Sequence, residues 1–178
     1  MSLKINLNKR SLFLLIVVGV VVFFCSTINA LELQKQRYRP YTPVTMSTRL
    51  KNEIKTNTSG LTAYDIAIYC KEKTQDLLTF SPVCEPFDDS RITKMHCVGY
   101  ARVYATICNY AFKVNGVKGT VKPVVGIVKQ NGFNLNTLST LLPGPLHDFT
   151  KDHDFAEVKY DNKILYVDPS LNIVNVIK

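Results

Sequence analysis

Three rhythms of hydrophobic and polar positions succeed one another along this chain of 178 residues. Leu12 to Cys25 is one unbroken apolar run. Residues 31–58 follow no period: they are polar, basic and broken by Pro40 and Pro43, which predicts an extended arm or linker. From Thr62 a helical period sets in. Thr62-Ala63-Tyr64-Asp65 has capping-box spacing, and Ile66, Cys70 and Leu77 recur at helical intervals, so a helix is expected over residues 63–78. Phe80-Ser81-Pro82 ends it, and a polar loop through Cys84, Pro86, Asp88, Asp89 and Ser90 follows. A second helix begins near Cys97. Its Val98, Ala101, Val103, Tyr104, Ala105, Cys108, Ala111 and Phe112 leave few positions for solvent, which predicts a largely buried helix, with Gly116 after Asn115 as its stop.

The rest of the chain changes to a strand rhythm. Residues 121–128 are rich in β-branched side chains, although Pro123 restricts them to an edge strand or a strand start. Asp154 to Tyr160 and Lys163 to Val167 flank Asp161-Asn162, a pair that tolerates the left-handed conformations of a tight turn. Helices followed by strands predict an α+β fold with an antiparallel sheet, over residues 59–178 as one domain.

The apolar run changes the picture of the N-terminus. Lys4, Lys9 and Arg10 precede it and Ala30 offers a small residue for cleavage, so residues 1–30 read as a secretory signal. The run is short for a spanning helix, which needs about 20 residues. Extension through Ile28 keeps an uncleaved membrane tether over residues 12–28 open. Either way the domain is expected to be extracytoplasmic, periplasmic or secreted. No lipobox surrounds Cys25. The formal net charge of +8 falls to +5 without residues 1–30, which carry three basic and no acidic residues. These charges are scattered and form no nucleic-acid motif, so no nucleic-acid partner is expected. Gly116-Val117-Lys118-Gly119 reads as a turn rather than a phosphate loop.

Four cysteines remain after residue 30. Cys97 and Cys108 lie about 16 Å apart along one helix and cannot pair. Cys108 reads as a small core residue. Cys70 and Cys84 lie on a helix and its following loop, where an exported protein could join them by a disulfide; alone, they would make a weaker case for a redox protein. Nothing has the spacing of a zinc site, and neither metal nor cofactor is expected.

Cys97 differs by its place. A thiol at a helix N-terminus meets the positive end of the macrodipole and unpaired N–H groups, which favour thiolate. If Asp161-Asn162 is a two-residue turn, Tyr160 pairs with Lys163 and Phe155 falls opposite Asp168. His153 and Asp168 are then diagonal neighbours on one face, about 7–8 Å apart between backbones. A four-residue loop keeps that parity and a three-residue loop reverses it. The result is a nucleophile, a base and an orienting carboxylate, in the order Cys97, His153, Asp168. His96 adjoins Cys97 and cannot face it on a helix, so it reads as a loop or cap residue. His147, in the Pro143-Gly144-Pro145-Leu146 loop, has no carboxylate placed beside it.

Cys97-Val98-Gly99-Tyr100-Ala101-Arg102 resembles the cysteine motif of the transglutaminase-like superfamily. His153-Asp154-Phe155-Ala156-Glu157-Val158 resembles its histidine motif, and Tyr166-Val167-Asp168-Pro169-Ser170 its aspartate motif. The resemblance covers roughly residues 60–172 and suggests an exported bacterial member. It implies a papain-like α+β core with the nucleophile helix packed on an antiparallel sheet. It also implies acyl transfer through a thioester, with Cys97 as nucleophile, His153 as base and Asp168 as orienter. Phe155 replaces the family's frequent tryptophan, and His96 stands where a small or acidic residue is common. The backbone N–H of Cys97 is the one oxyanion-hole donor that the sequence offers. The expected function is an exported cysteine enzyme acting on peptide or protein amides, with water (protease or amidase) or an amine (transglutaminase) resolving the thioester. The alternative is a non-catalytic binding or structural module on the same fold.

Overall fold

A computed structural model describes residues 31–130, 133–134 and 152–177. Residues 1–30, expected from sequence to be an export signal, and His147 lie outside the described residues. The fold is mixed α+β, a curled antiparallel sheet with helices. Strand β1 (Leu31–Tyr38) opens the described chain, and helices α1 (Thr48–Asn57) and α2 (Ala63–Leu77) follow. The short strands β2 (Leu78–Phe80) and β3 (Thr93–Met95) pair in parallel, and helix α3 (Cys97–Val114) follows directly. Strands β4 (Gly119–Gln130), β5 (Phe133–Asn134), β6 (His153–Tyr160), β7 (Lys163–Asp168) and β8 (Ile173–Ile177) complete it. Sheet order is β1-β4-β6-β7-β8, with β5 added to β4.

The expected helices form where their caps and periods place them. The Thr62 side chain accepts from the Asp65 N–H at the start of α2, whose buried positions Ile66, Cys70, Thr74 and Leu77 line one face. Helix α3 is buried almost throughout, because α1 and α2 cover one side of it and the sheet the other. Gly99 permits close approach to β3: a Cβ there would lie 2.6 Å from the Met95 sulfur. The α3 chain turns away at Gly116, whose φ is +67°.

The hairpin of β6 and β7 has the two-residue turn the sequence predicts. Tyr160 pairs with Lys163, and Asp161 and Asn162 take φ of 44° and 61°. Two apolar clusters divide the sheet faces by parity. Val121, Ala156, Val158, Leu165 and Val167 pack against the helices. Leu33, Val124, Val128, Phe155 and Ile173 form a smaller cluster on the opposite face. That face is concave, since it gathers residues of both edge strands. The Leu33 N–H donates to Asn175 Oδ1 (2.7 Å) and Asn175 Nδ2 donates to the Leu31 carbonyl (3.0 Å), so one side chain stitches β8 to β1.

Three expectations are corrected here. Residues 31–58 are not an arm or linker: they supply β1 and α1. Strand β1 pairs with β4 from Leu31↔Gln130 to Tyr38↔Val124. The intervening strap is tied to α3, where Thr42 O accepts from Arg102 Nε (2.6 Å), Val44 N–H donates to Thr106 Oγ1 (3.1 Å) and Tyr41 OH accepts from Asn109 Nδ2 (3.1 Å). Those three helix residues follow i, i+4, i+7 and share one face. Pro123 is not at an edge or strand start but inside β4, between β1 and β6. Its carbonyl accepts from Arg39 N–H (2.9 Å), just past the end of β1, so its missing N–H faces a side where the ladder has finished. Cys70 and Cys84 are not bonded: Cys70 is buried in α2 beside Cys108 of α3, while Cys84 is exposed.

Candidate active site

Cys97, His153 and Asp168 come together from three elements. Cys97 is the first residue of α3 and half-buried. His96 before it is the N-cap and makes no side-chain cap bond, so its ring takes no first-turn N–H. His153 opens β6 and Asp168 ends β7, and both are 0 % exposed. The parity argument holds: the β6–β7 ladder runs in the predicted register to Ala156↔Val167, and just beyond it the Asp168 Oδ2 meets His153 Nε2. Cys97 lies near enough to the ring to help raise its pKa.

Each group is held by neighbours. Asp168 Oδ1 accepts from Ser170 N–H (2.8 Å), Ser170 Oγ (2.7 Å) and Leu171 N–H (3.2 Å), so the turn after β7 fixes the carboxylate. The Phe155 ring stacks beside His153 with centroids 6.5 Å apart and 26° between planes. Gly126, paired with His153 across β4, makes room for this: a Cβ there would stand 2.7 Å from the Phe155 ring. On the other parity of β6, Asp154 forms a bidentate ion pair with Arg39.

Electrostatics at the site are dominated by burial and pairing. Burial pushes His153 down, but the Asp168 charge and hydrogen bond, followed by Cys97, override it and raise the ring from 6.5 to about 10. The imidazolium is thus the stable form across neutral pH. Asp154 is pushed up by burial, against the opposing pull of Arg39, His153 and His96. Chemically, a ring held as imidazolium by a carboxylate can already carry the proton of the neighbouring thiol, so that sulfur attacks as thiolate.

Every triad residue expected from sequence lies in this one cluster. Sequence reasoning missed the Arg39–Asp154 pair and the Ser170 brace. Asp168-Pro169-Ser170 carries the composition of an Asx-type turn, a signal that could have found the brace. Arg39 carries no local signal, because its partner is 115 positions away. Among the described residues no group of three or more His, Cys, Asp or Glu could hold a metal ion. Nor is any described helix long and apolar enough to cross a membrane.

Fold and cluster together define an α+β domain with Cys97 at a helix N-terminus beside a buried His–Asp pair. No family model, no curated protein and no solved structure matches the chain.

Proposed function

We propose that this protein is an exported cysteine acyl-transfer enzyme of the transglutaminase-like kind, with a papain-like core and a peptide or protein amide as substrate. The observation that carries it is the His153 ring, bonded through Nε2 to Asp168 and close enough to Cys97 at the start of α3 for the two to interact. Cys97 attacks the amide carbonyl, the bond to the leaving amine breaks, and His153 hands that amine the proton it took from sulfur. The thioester is then resolved by water, which yields an acid, or by an amine, which yields a new amide. The Cys97 N–H is the oxyanion donor this reading relies on, with no His96 side chain competing for it. Export rests on residues 1–30 of the sequence.

A second reading, a binding module with an unused triad, draws support from the complete burial of His153 and Asp168. Alkylation separates the two. At about pH 6.5, where an ordinary thiol is protonated, an enzyme's Cys97 reacts with iodoacetamide faster in the folded protein than in urea. A folded-state rate below the urea rate would sink the enzyme reading. His153→Gln should remove the folded-state advantage.

A further inference from the structure

A groove runs from Cys97's neighbour Val98 along α3, and its charge does not cancel. Two adjoining cavities compose it, of about 410 and 470 Å³, which share Thr42 and Arg102. The strap at residues 39–45 forms one wall and α3 the other. Of the three ionised side chains lining it, two are neutralised: Arg39 is paired with the buried Asp154, and Glu85 at the far end lies 3.4 Å from Arg91. Arg102 is exposed, and among the described residues its side chain makes one bond, Nε to the Thr42 carbonyl (2.6 Å), which satisfies a single donor of the fork. No described carboxylate lies within ion-pair distance of it. That backbone bond fixes the plane of the guanidinium at the junction of the cavities. Arg102 is one helical turn beyond Val98, on the same face, and about 7.5 Å along the helix axis from Cys97.

We propose that this groove binds the acyl donor's own carboxylate, and that Arg102 is the residue that reads it. A planar, permanently charged fork with one arm anchored on backbone suits a carboxylate better than a neutral amide. The carboxylate belongs either to an acidic side chain or to a peptide C-terminus. This deepens the acyl-transfer reading and rests on it for the identity of the bound group.

The test uses chloroacetyl peptides, which alkylate Cys97 as they bind, with the site read by peptide mapping because Cys84 is also exposed. Three reagents are compared: one ending in glutamate amide, one in glutamine with a free C-terminus, and one in glutamine amide. At least one charged reagent should label Cys97 about 5–10-fold faster than the neutral one, and which of them does so identifies the source of the carboxylate. Arg102→Gln should bring that ratio to near one, Arg102→Lys should retain part of it, and 0.5 M salt, at roughly a 4–5 Å screening length, should shrink it. Equal labelling by all three reagents, or a preference that survives Arg102→Gln, overturns the proposal. Binding of the same peptides without the chloroacetyl group to Cys97→Ala keeps the two readings apart. If Cys97 is inert but acidic peptides bind through Arg102, the subsite stands and the enzyme reading falls. If neither labelling nor Arg102-dependent binding appears, both fall.

Discussion

Asp168→Asn distinguishes a His–carboxylate pair that holds a proton from a mere buried contact. The substitution keeps volume and shape, and the amide oxygen can still accept from Ser170 N–H, Ser170 Oγ and Leu171 N–H. What it removes is the charge on His153 Nε2. At about 1.4 kcal/mol for each pH unit, the rise of His153 from 6.5 to about 10 represents roughly 5 kcal/mol in favour of the imidazolium, as an upper bound. Burial acts in the opposite direction and persists in the variant, opposed then by Cys97 alone. The ring should therefore titrate at or below 6.5.

The chain has three histidines, so a ring NMR titration from pH 5 to 10.5 with His153→Gln as the assignment control resolves them. In the parent, His153 should stay protonated to about pH 9; in Asp168→Asn it should be neutral by pH 7.5. Stability follows by linkage. Between pH 6.5 and 10 the folded protein keeps a proton that the unfolded chain has released. Stability contributed by the pair is thus full below pH 6.5 and is lost as pH rises towards 10, by at most about 1.4 kcal/mol per pH unit. Urea unfolding across that window should show the slope in the parent and a flat profile in the variant. A parent His153 that titrates near 6.5, or a slope that survives Asp168→Asn, would refute the reasoning.

Thiol accessibility gives a second check: in the folded protein Cys84 and Cys97 should take up iodoacetamide, while Cys70 and Cys108 should react only after denaturation, Cys70 further protected because burial raises its thiol. Asn175→Ala removes two bonds between β8 and β1 and should cost about 1–3 kcal/mol in chemical unfolding, with faster exchange of the Leu33 amide as the local sign. Asn162→Val places a β-branched residue at φ 61° and should cost about 1–2 kcal/mol, whereas Asn162→Gly should be tolerated.

Much of the fold is legible because its apolar positions have a period. Helix α2 announces itself through Thr62, Ile66, Cys70 and Leu77, and the β6–β7 hairpin through Asp161-Asn162 between two strand-like runs. Strand β1 and helix α1 are illegible for the converse reason. In β1 only Leu33 is buried, and α1 buries only Leu50 and Ile54. Neither element is placed by its own hydrophobic pattern. Strand β1 is bound by backbone ladder to β4 and by polar contacts: Asn175, and the buried Glu157, which accepts from Lys35 Nζ (2.6 Å) and Tyr38 OH (2.5 Å). A polar, proline-broken stretch looks the same in sequence whether it is a tether or an edge strand whose partners lie 86 or more positions away.

The candidate site divides along the same line. The His153–Asp168 contact follows from arithmetic on one turn: two residues in left-handed conformation fix the pairing, the pairing fixes parity, and parity puts the ring and carboxylate on one face. Such a contact is local in sequence, spanning 15 positions. Cys97 reaches the same place by a different route, through the packing of α3 onto the sheet, and no register computes that. What made it legible was chemistry: a thiol at an uncapped helix start needs a base, and a base already paired to a carboxylate lay one hairpin away. The Arg39–Asp154 pair has neither kind of signal. Its arginine belongs to the segment whose strand pairing is invisible from sequence, and its aspartate sits on the parity opposite His153. Arg39 therefore becomes visible only once β1 is docked, and with it the groove in which Arg102, among the described lining side chains, is the charge with no partner at ion-pair distance.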